Sequence, residues 1–191
     1  MEPSHLAETE EYVTCLHIQL YHPLQAAEGV YDLLPLNRRQ KLQAEDPLRL
    51  GRDEEACTFA LADRRASRKQ LAIQAFRSPR SSDLLFQVQN LSQRGCMSVG
   101  GTALEYLHCV ELPGKALLRF GQYQLLICQE PGECQSKFEV EFRVSRGPLG
   151  QESGAGVPCG VPVMERGGQL PLNSLPSPQT PLETDEGMYL S

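Results

Sequence analysis

Apolar residues fall along this chain in short runs, most of four to eight residues, each closed by Gly, Pro, Asp, Asn or Ser. The first run, from Val13 to Tyr21, puts Leu16, Ile18 and Leu20 on one face by period-two alternation, and His22-Pro23 ends it in a turn. Further runs follow at 29–36, 48–50, 57–61, 71–76, 84–89, 97–99, 109–112, 116–120, 122–128 and 138–144. From Phe138 to Val144 apolar and charged residues alternate strictly, the pattern of a strand with one face on a core and one in water. A helical period would scatter the same side chains around an axis. Gly121 divides the run from Leu117 to Ile127 and predicts a turn or bulge between two strand halves, and Gly100-Gly101 predicts a hairpin turn. This spacing predicts an all-β sandwich or barrel.

The pattern stops after Arg146. Residues 147–187 are rich in Gly, Pro, Ser and Gln, and their few apolar side chains are isolated. Such a segment buries too little surface to offset an ordering cost of about 1–2 kcal/mol per residue, so a disordered tail is expected over 147–191. Residues 1–11 read as a flexible arm, which leaves 12–146 as one folded domain, the number that 191 residues favour.

Charge sharpens this division. The chain carries 18 Lys+Arg against 24 Asp+Glu. The arm holds Glu2, Glu8, Glu10 and Glu11 without a Lys or Arg, and the tail is also net acidic, so the middle is close to neutral. An acidic chain argues against a nucleic-acid partner. The seven cysteines form an odd set without a C-x-x-C pair, which argues against a disulfide framework or a zinc site. No apolar stretch is long enough to span a bilayer and no basic-then-apolar leader opens the chain. A soluble protein in a reducing, cytoplasmic setting is expected, with no membrane partner.

Three clusters carry candidate chemistry: Gly51-Arg52, Ser67-Arg68-Lys69, and Gln89-Asn90-Leu91-Ser92, each where one apolar run ends and the next begins. A bound phosphate needs a guanidinium that donates in a fork, a hydroxyl or backbone donor at its edge, and a side-chain amide to hold the peptide backbone. Arg52, Ser67 and Asn90 supply these three roles, with Arg68, Lys69 and Gln89 beside them. Arg64 and Arg65 add to the basic excess around Ser67, although a solvated loop accounts for those two equally well. Competing chemistry is thin. His5, His17, His22 and His108 show no ligand spacing, and His108-Cys109 has no third group to orient it. No metal, cofactor or enzymatic activity is expected.

Taken together and in order, the three clusters resemble the phosphothreonine-reading loops of a forkhead-associated (FHA) domain over about residues 13–145. The resemblance implies a sandwich of two sheets rather than a barrel. FHA domains usually carry a histidine three residues after the serine, where this chain has Gln70, and an Asn-Gly where it has Arg94-Gly95. Asn90 is therefore expected to hold the peptide backbone and Arg94 to add charge. The acidic arm with Thr9-Glu10-Glu11, the strand start Val13-Thr14-Cys15-Leu16, Tyr21-His22-Pro23 and the Pro- and Ser-rich tail resemble the family of TRAF-interacting proteins with an FHA domain. That resemblance implies that Thr9 is phosphorylated by an alpha-type kinase and read by the FHA domain of another copy, giving a homo-oligomer. Pro181-Leu182-Glu183-Thr184-Asp185-Glu186 fits a Pro-x-Glu-x-x-acidic/aromatic motif for a TRAF-family ubiquitin ligase. Such a peptide adds a strand to a sheet edge, with Pro181, Glu183 and Glu186 as its fixed positions.

Reach also favours an intermolecular contact. About four residues separate Thr9 from the first strand, a span of at most roughly 14 Å against a domain roughly 30 Å across, so Thr9 misses its own pocket if the arm leaves the face opposite the reading loops, as the resemblance to FHA domains implies. The expectation is a non-catalytic adaptor that oligomerises through phosphorylated Thr9 and recruits a ubiquitin ligase for NF-κB innate signalling. The alternative is an FHA reader of phosphothreonine on an unrelated partner, without self-assembly.

Overall fold

A computed structural model describes residues 12–150 of the chain. Among these residues the elements are β1 (Thr14–Tyr21), α1 (Gln25–Glu28), β2 (Arg39–Gln43), β3 (Leu48–Gly51), β4 (Phe59–Ala60), β5 (Leu71–Arg77) and β6 (Leu84–Asn90). They continue with β7 (Met97–Val99), β8 (Thr102–Leu104), β9 (Cys109–Glu111), β10 (Lys115–Phe120), β11 (Tyr123–Glu130) and β12 (Lys137–Val144). The strands form two sheets, a seven-stranded one in the order β2-β12-β1-β11-β10-β7-β8 and a five-stranded one in the order β4-β3-β5-β6-β9. The expected all-β sandwich of two sheets is thus the fold.

The alternating runs place their apolar halves inward. Leu16, Ile18 and Leu20 of β1 and Phe138, Val140 and Phe142 of β12 are buried in one core with Leu71, Ile73, Phe86 and Val88 of the other sheet. Two aromatic pairs join the sheets, Phe59 to Phe142 at 4.9 Å between centroids and Phe86 to Phe138 at 5.2 Å, both edge-to-face. Each such pair adds about 0.5–1.5 kcal/mol to the area term. Two-residue hairpins join β7 to β8, with Val99 opposite Thr102, and β10 to β11, with Phe120 opposite Tyr123. Gly100 and Gly101 both take positive φ, 58° and 86°, which is why that turn needs two glycines.

Some elements differ from the pattern-based reading. The run 29–36 is a succession of turns, not a strand: Asp32 N–H bonds Gly29 O and Leu34 N–H bonds Tyr31 O, while Val30, Tyr31 and Leu34 pack into the core. Its apolar content reflects burial, with sheet pairing only at its end, where Leu36 bridges Phe142 of β12. β2 is the converse, a paired edge strand whose Arg-Gln-Lys-Leu-Gln sequence shows no apolar alternation because it lies half in water.

Topology sets the functional end. Leu50 at the end of β3 pairs with Leu71 at the start of β5, and Leu71 pairs with Asn90 at the end of β6. The three candidate clusters therefore emerge at the same end of the five-stranded sheet. β1 finishes at this end too: His22, which follows it, is buried, packs tilted against Tyr123 at 4.4 Å between ring centroids and accepts the Leu24 N–H on Nδ1. Burial lowers the His22 pKa.

Candidate phosphate-binding site

The first two clusters are knitted together through backbone bonds. Arg52 N–H donates to Ser67 O at 3.0 Å, Asp53 N–H to Arg68 O at 3.2 Å, and Gln70 N–H to Leu50 O at 2.8 Å. Gly51 allows this approach. A Cβ there would lie well inside contact distance of the Arg68 carbonyl oxygen and 2.9 Å from Lys69 Cα. Gln70, at the position where FHA domains usually carry histidine, is buried, and its carbonyl accepts the Leu91 N–H, linking the second cluster to the third.

The hydroxyl of Ser67 is held 2.6 Å from that of Ser92. Ser92 gives its one proton to Arg94 O at 2.7 Å and accepts the Arg94 N–H at 3.3 Å, so Ser67 is the donor of the pair. That proton is the one a phosphate oxygen would take over. Asn90 stands behind this chain. It is 1% exposed, its Nδ2 donates to Leu104 O at 2.8 Å and its Oδ1 accepts the Ser92 N–H at 3.0 Å. Buried and bonded inward, Asn90 braces the loop that presents Ser92 and Arg94, and its amide keeps a second N–H beyond these two bonds.

Arg52, Ser67, Arg68 and Lys69 line one open cavity of about 650 Å³, together with Arg64 and Arg94. Arg52 anchors one arm, Nη1 donating to Arg64 O at 2.7 Å, and the rest of its guanidinium remains for a ligand. Arg68 is paired with Asp53 at 3.0 Å, and Arg65 is paired with Asp63 at 2.8 Å and with Glu28. Among the described residues no carboxylate lies within ion-pair distance of Arg52, Arg64, Lys69 or Arg94. Four uncompensated cations around a hydroxyl donor suit a dianionic phosphate. Gln89 stands apart from this cavity, its Nε2 donating to Leu107 O at 3.0 Å.

Two carboxylates near the site were not anticipated. Asp53 is held below the usual carboxylate range by its hydrogen bonds from Arg68. Asp63 is buried, which by itself pushes its pKa up; the Arg65 side chain, the Arg65 N–H and the Tyr123 hydroxyl at 2.6 Å outweigh that and hold it at about 2. Burial and the Asp63 charge push Tyr123 upward in turn. Gly-Arg-Asp at 51–53 was a legible hint of the first carboxylate, whereas Asp63 and the cavity-lining Tyr106 carry no local signal.

Asp63 yields a pH prediction. Its folded pKa of about 2 lies below its ordinary 3.8, so its contribution to stability is complete above about pH 4 and is lost as pH falls toward 2. Asp63→Asn should lower stability by about 1–3 kcal/mol at pH 7 and flatten the decline between pH 4 and 2. Urea unfolding across that range measures both effects.

Cys15, His17 and Glu130 bring possible metal-ligand atoms within 4.8 Å of one another. They lie on the outer face of the seven-stranded sheet. Arg39 already reaches Glu130 at 3.5 Å and Glu139 at 3.4 Å, and burial pushes the Cys15 thiol up to about 11. His17 bridges Glu130 at 2.7 Å and Glu141 at 3.1 Å, clamping β1 to both neighbouring strands. Thr9, Pro181, Glu183 and Glu186 lie outside the described residues.

No family model matches the chain. TRAF-interacting protein with FHA domain-containing protein A of Rattus norvegicus is 37% identical over 147 residues, covering 77% of this chain and 80% of that protein. The Homo sapiens protein of the same name is 34% identical over 180 residues, covering 94% of this chain and 96% of that one. Among solved structures, the FHA domain of an Arabidopsis thaliana hypothetical protein is similar at 16% identity and a TM-score of 0.44, over 66% of this chain and 92% of that one. By its sequence relatives, the chain belongs to the family of TRAF-interacting proteins with an FHA domain.

Proposed function

We propose that this protein is a non-catalytic signalling adaptor whose cavity at Arg52 and Ser67 binds phosphorylated Thr9 of another copy. The observation that carries this reading is the set of cations that line one cavity with the Ser67 hydroxyl, Arg52, Arg64, Lys69 and Arg94, none of which has a carboxylate partner among the described residues. Arg68 and Asp53 form its rim, and Asn90 acts from behind as a brace.

Strand direction supports an intermolecular contact. β1 ends beside the site, where His22 packs against Tyr123, so its first residue stands about 23 Å away at 3.3 Å per residue. The Tyr12 carbonyl accepts the N–H groups of Glu133 and Cys134, which ties the chain down at that far end. Three residues then separate Thr9 from a fixed point, a reach of about 11 Å. Thr9 therefore falls short of its own cavity and meets that of a neighbour. Head-to-tail docking of this kind builds open assemblies unless the rotation closes.

Assembly gathers many copies of the tail motif Pro181-x-Glu183-x-x-Glu186. One short peptide binds weakly, and clustering raises the effective concentration enough to gain about 10²–10⁴ in avidity. The partner is a TRAF-family ubiquitin ligase, in keeping with the names of the relatives. An alpha-type kinase acting on Thr9 in the cytoplasm starts the switch, and NF-κB innate signalling is its output. Residues 12–146 are the reading domain, 1–11 the phosphorylated arm and 147–191 the recruiting tail.

Light scattering tests the reading. Protein phosphorylated at Thr9 should run as a mass series well above the unphosphorylated form, and Thr9→Ala should stay at the smaller size under the same kinase treatment. Should phosphorylation leave the mass unchanged, the cavity reads a phosphothreonine of another protein and self-assembly is wrong.

A further inference from the structure

Beside the phosphate cavity, across the outer face of the five-stranded sheet, lies a second groove of about 450 Å³. The two share Lys69 and Leu91, so a peptide anchored in one continues into the other. The groove carries two cations, Arg49 and Lys69, over a floor that is half polar and half apolar. Arg49 of β3 stands at its side and the amides of Gln74, Gln87 and Gln89 line it from β5 and β6. Gln74 and Gln87 are direct cross-strand partners. Arg49 is exposed, and among the described residues neither it nor Lys69 has a carboxylate partner.

Among the described residues these two cations have no carboxylate partner, and beside them the Gln87 amide and the carbonyl oxygens of Gln74 and Gln89, whose Nε2 groups already donate to Ala44 O and Leu107 O, fit an extended acidic segment: the amides meet peptide groups and the cations meet carboxylates. The chain contains one such segment next to its phosphorylatable threonine, Glu8-Thr9-Glu10-Glu11, with no Lys or Arg in residues 1–11. We infer that this groove binds the acidic residues flanking phosphorylated Thr9 of the docking copy, with Arg49 and Lys69 as their cationic partners. Resting on the proposed docking of Thr9, it adds a selectivity element: the site distinguishes this arm from other phosphothreonines by its neighbouring charge. A phosphothreonine with neutral flanks gains only the first cavity.

Arg49 gives a clean test because it lines only the groove, and glutamine keeps its exposed polar character. Fluorescence anisotropy compares wild-type protein with Arg49→Gln against peptides of residues 1–14 phosphorylated at Thr9. One peptide keeps Glu8, Glu10 and Glu11, one carries Glu8→Gln, one Glu10→Gln with Glu11→Gln, and one all three exchanges. The wild type should bind the acidic peptide about fivefold tighter than the fully neutralised one, a difference that shrinks in 0.5 M salt. Arg49→Gln should weaken the acidic peptide by a similar factor and leave the neutralised one unchanged. Loss on neutralising either flank supports the groove. Equal binding of acidic and neutral phosphopeptides by the wild type, or an equal effect of Arg49→Gln on both, overturns it. Failure of every phosphopeptide to bind, with the unphosphorylated peptide as control, overturns the Thr9 reading itself.

Discussion

Replacing Arg52 by alanine should weaken binding of a Thr9-phosphorylated peptide about 100-fold or more, measured by calorimetric titration. Hydrogen bonds to a charged partner contribute about 1.5–3 kcal/mol each, and a guanidinium fork makes two of them to one phosphate. A loss near 3 kcal/mol corresponds to about two orders of magnitude in affinity. Arg52 also holds the Arg64 carbonyl at 2.7 Å, so its removal frees the loop carrying another cavity cation. Arg52→Lys separates charge from geometry. A lysine keeps the positive charge but offers no planar fork, and its affinity should fall by only about tenfold. If Arg52→Ala binds as tightly as the wild type, the phosphate does not sit where the four cations converge. The fold should tolerate the change, since the side chain points to solvent and leaves no buried group without a partner.

How far the sequence reveals this architecture depends on whether a residue's role is local. Strands with strict alternation, such as β12 and β1, were readable because each residue's neighbours two positions away report which face it occupies. β2 was not, because an edge strand needs little apolar surface and its pairing with β12 is a property of the other strand. The run 29–36 shows the opposite error: apolar residues reported burial correctly but not geometry. The same distinction governs the site. Arg52, Ser67, Arg68 and Lys69 line one cavity because each cluster closes an apolar run and the loop ends of neighbouring strands meet. Asn90 closes β6, and its amide reaches the Leu104 carbonyl, fourteen residues away. Nothing local to Asn90 announces that bond. Arg94, one turn of loop further on, instead presents the solvent-facing charge.

Gly51→Ala should unfold the site more thoroughly than any loss of a charged side chain. Gly51 has no positive φ that would itself forbid alanine, so the whole effect comes from space. The new methyl would press on the Arg68 carbonyl and on Lys69 Cα at 2.9 Å, both backbone and unable to swing aside. Relief requires β3 to separate from the 67–69 segment, which stretches the Arg52–Ser67, Asp53–Arg68 and Gln70–Leu50 bonds together. Overpacking of this kind costs about 1–3 kcal/mol, and each weakened bond adds to that. The expected outcome is a loss of about 2–4 kcal/mol in urea unfolding, with phosphopeptide binding lost even where the protein stays folded. Gly114→Ala is the matched control. A Cβ at Gly114 meets nothing within 4 Å, and no positive φ opposes it, so stability should hold or rise slightly. Equal behaviour of the two variants would mean that the contact between β3 and the 67–69 segment does not hold the cavity in shape. A selective collapse at Gly51 would instead show that the shortest side chain in the site fixes the distance between Arg52 and Ser67. On that reading, the glycine before the arginine belongs to the phosphate-binding apparatus as fully as the arginine does.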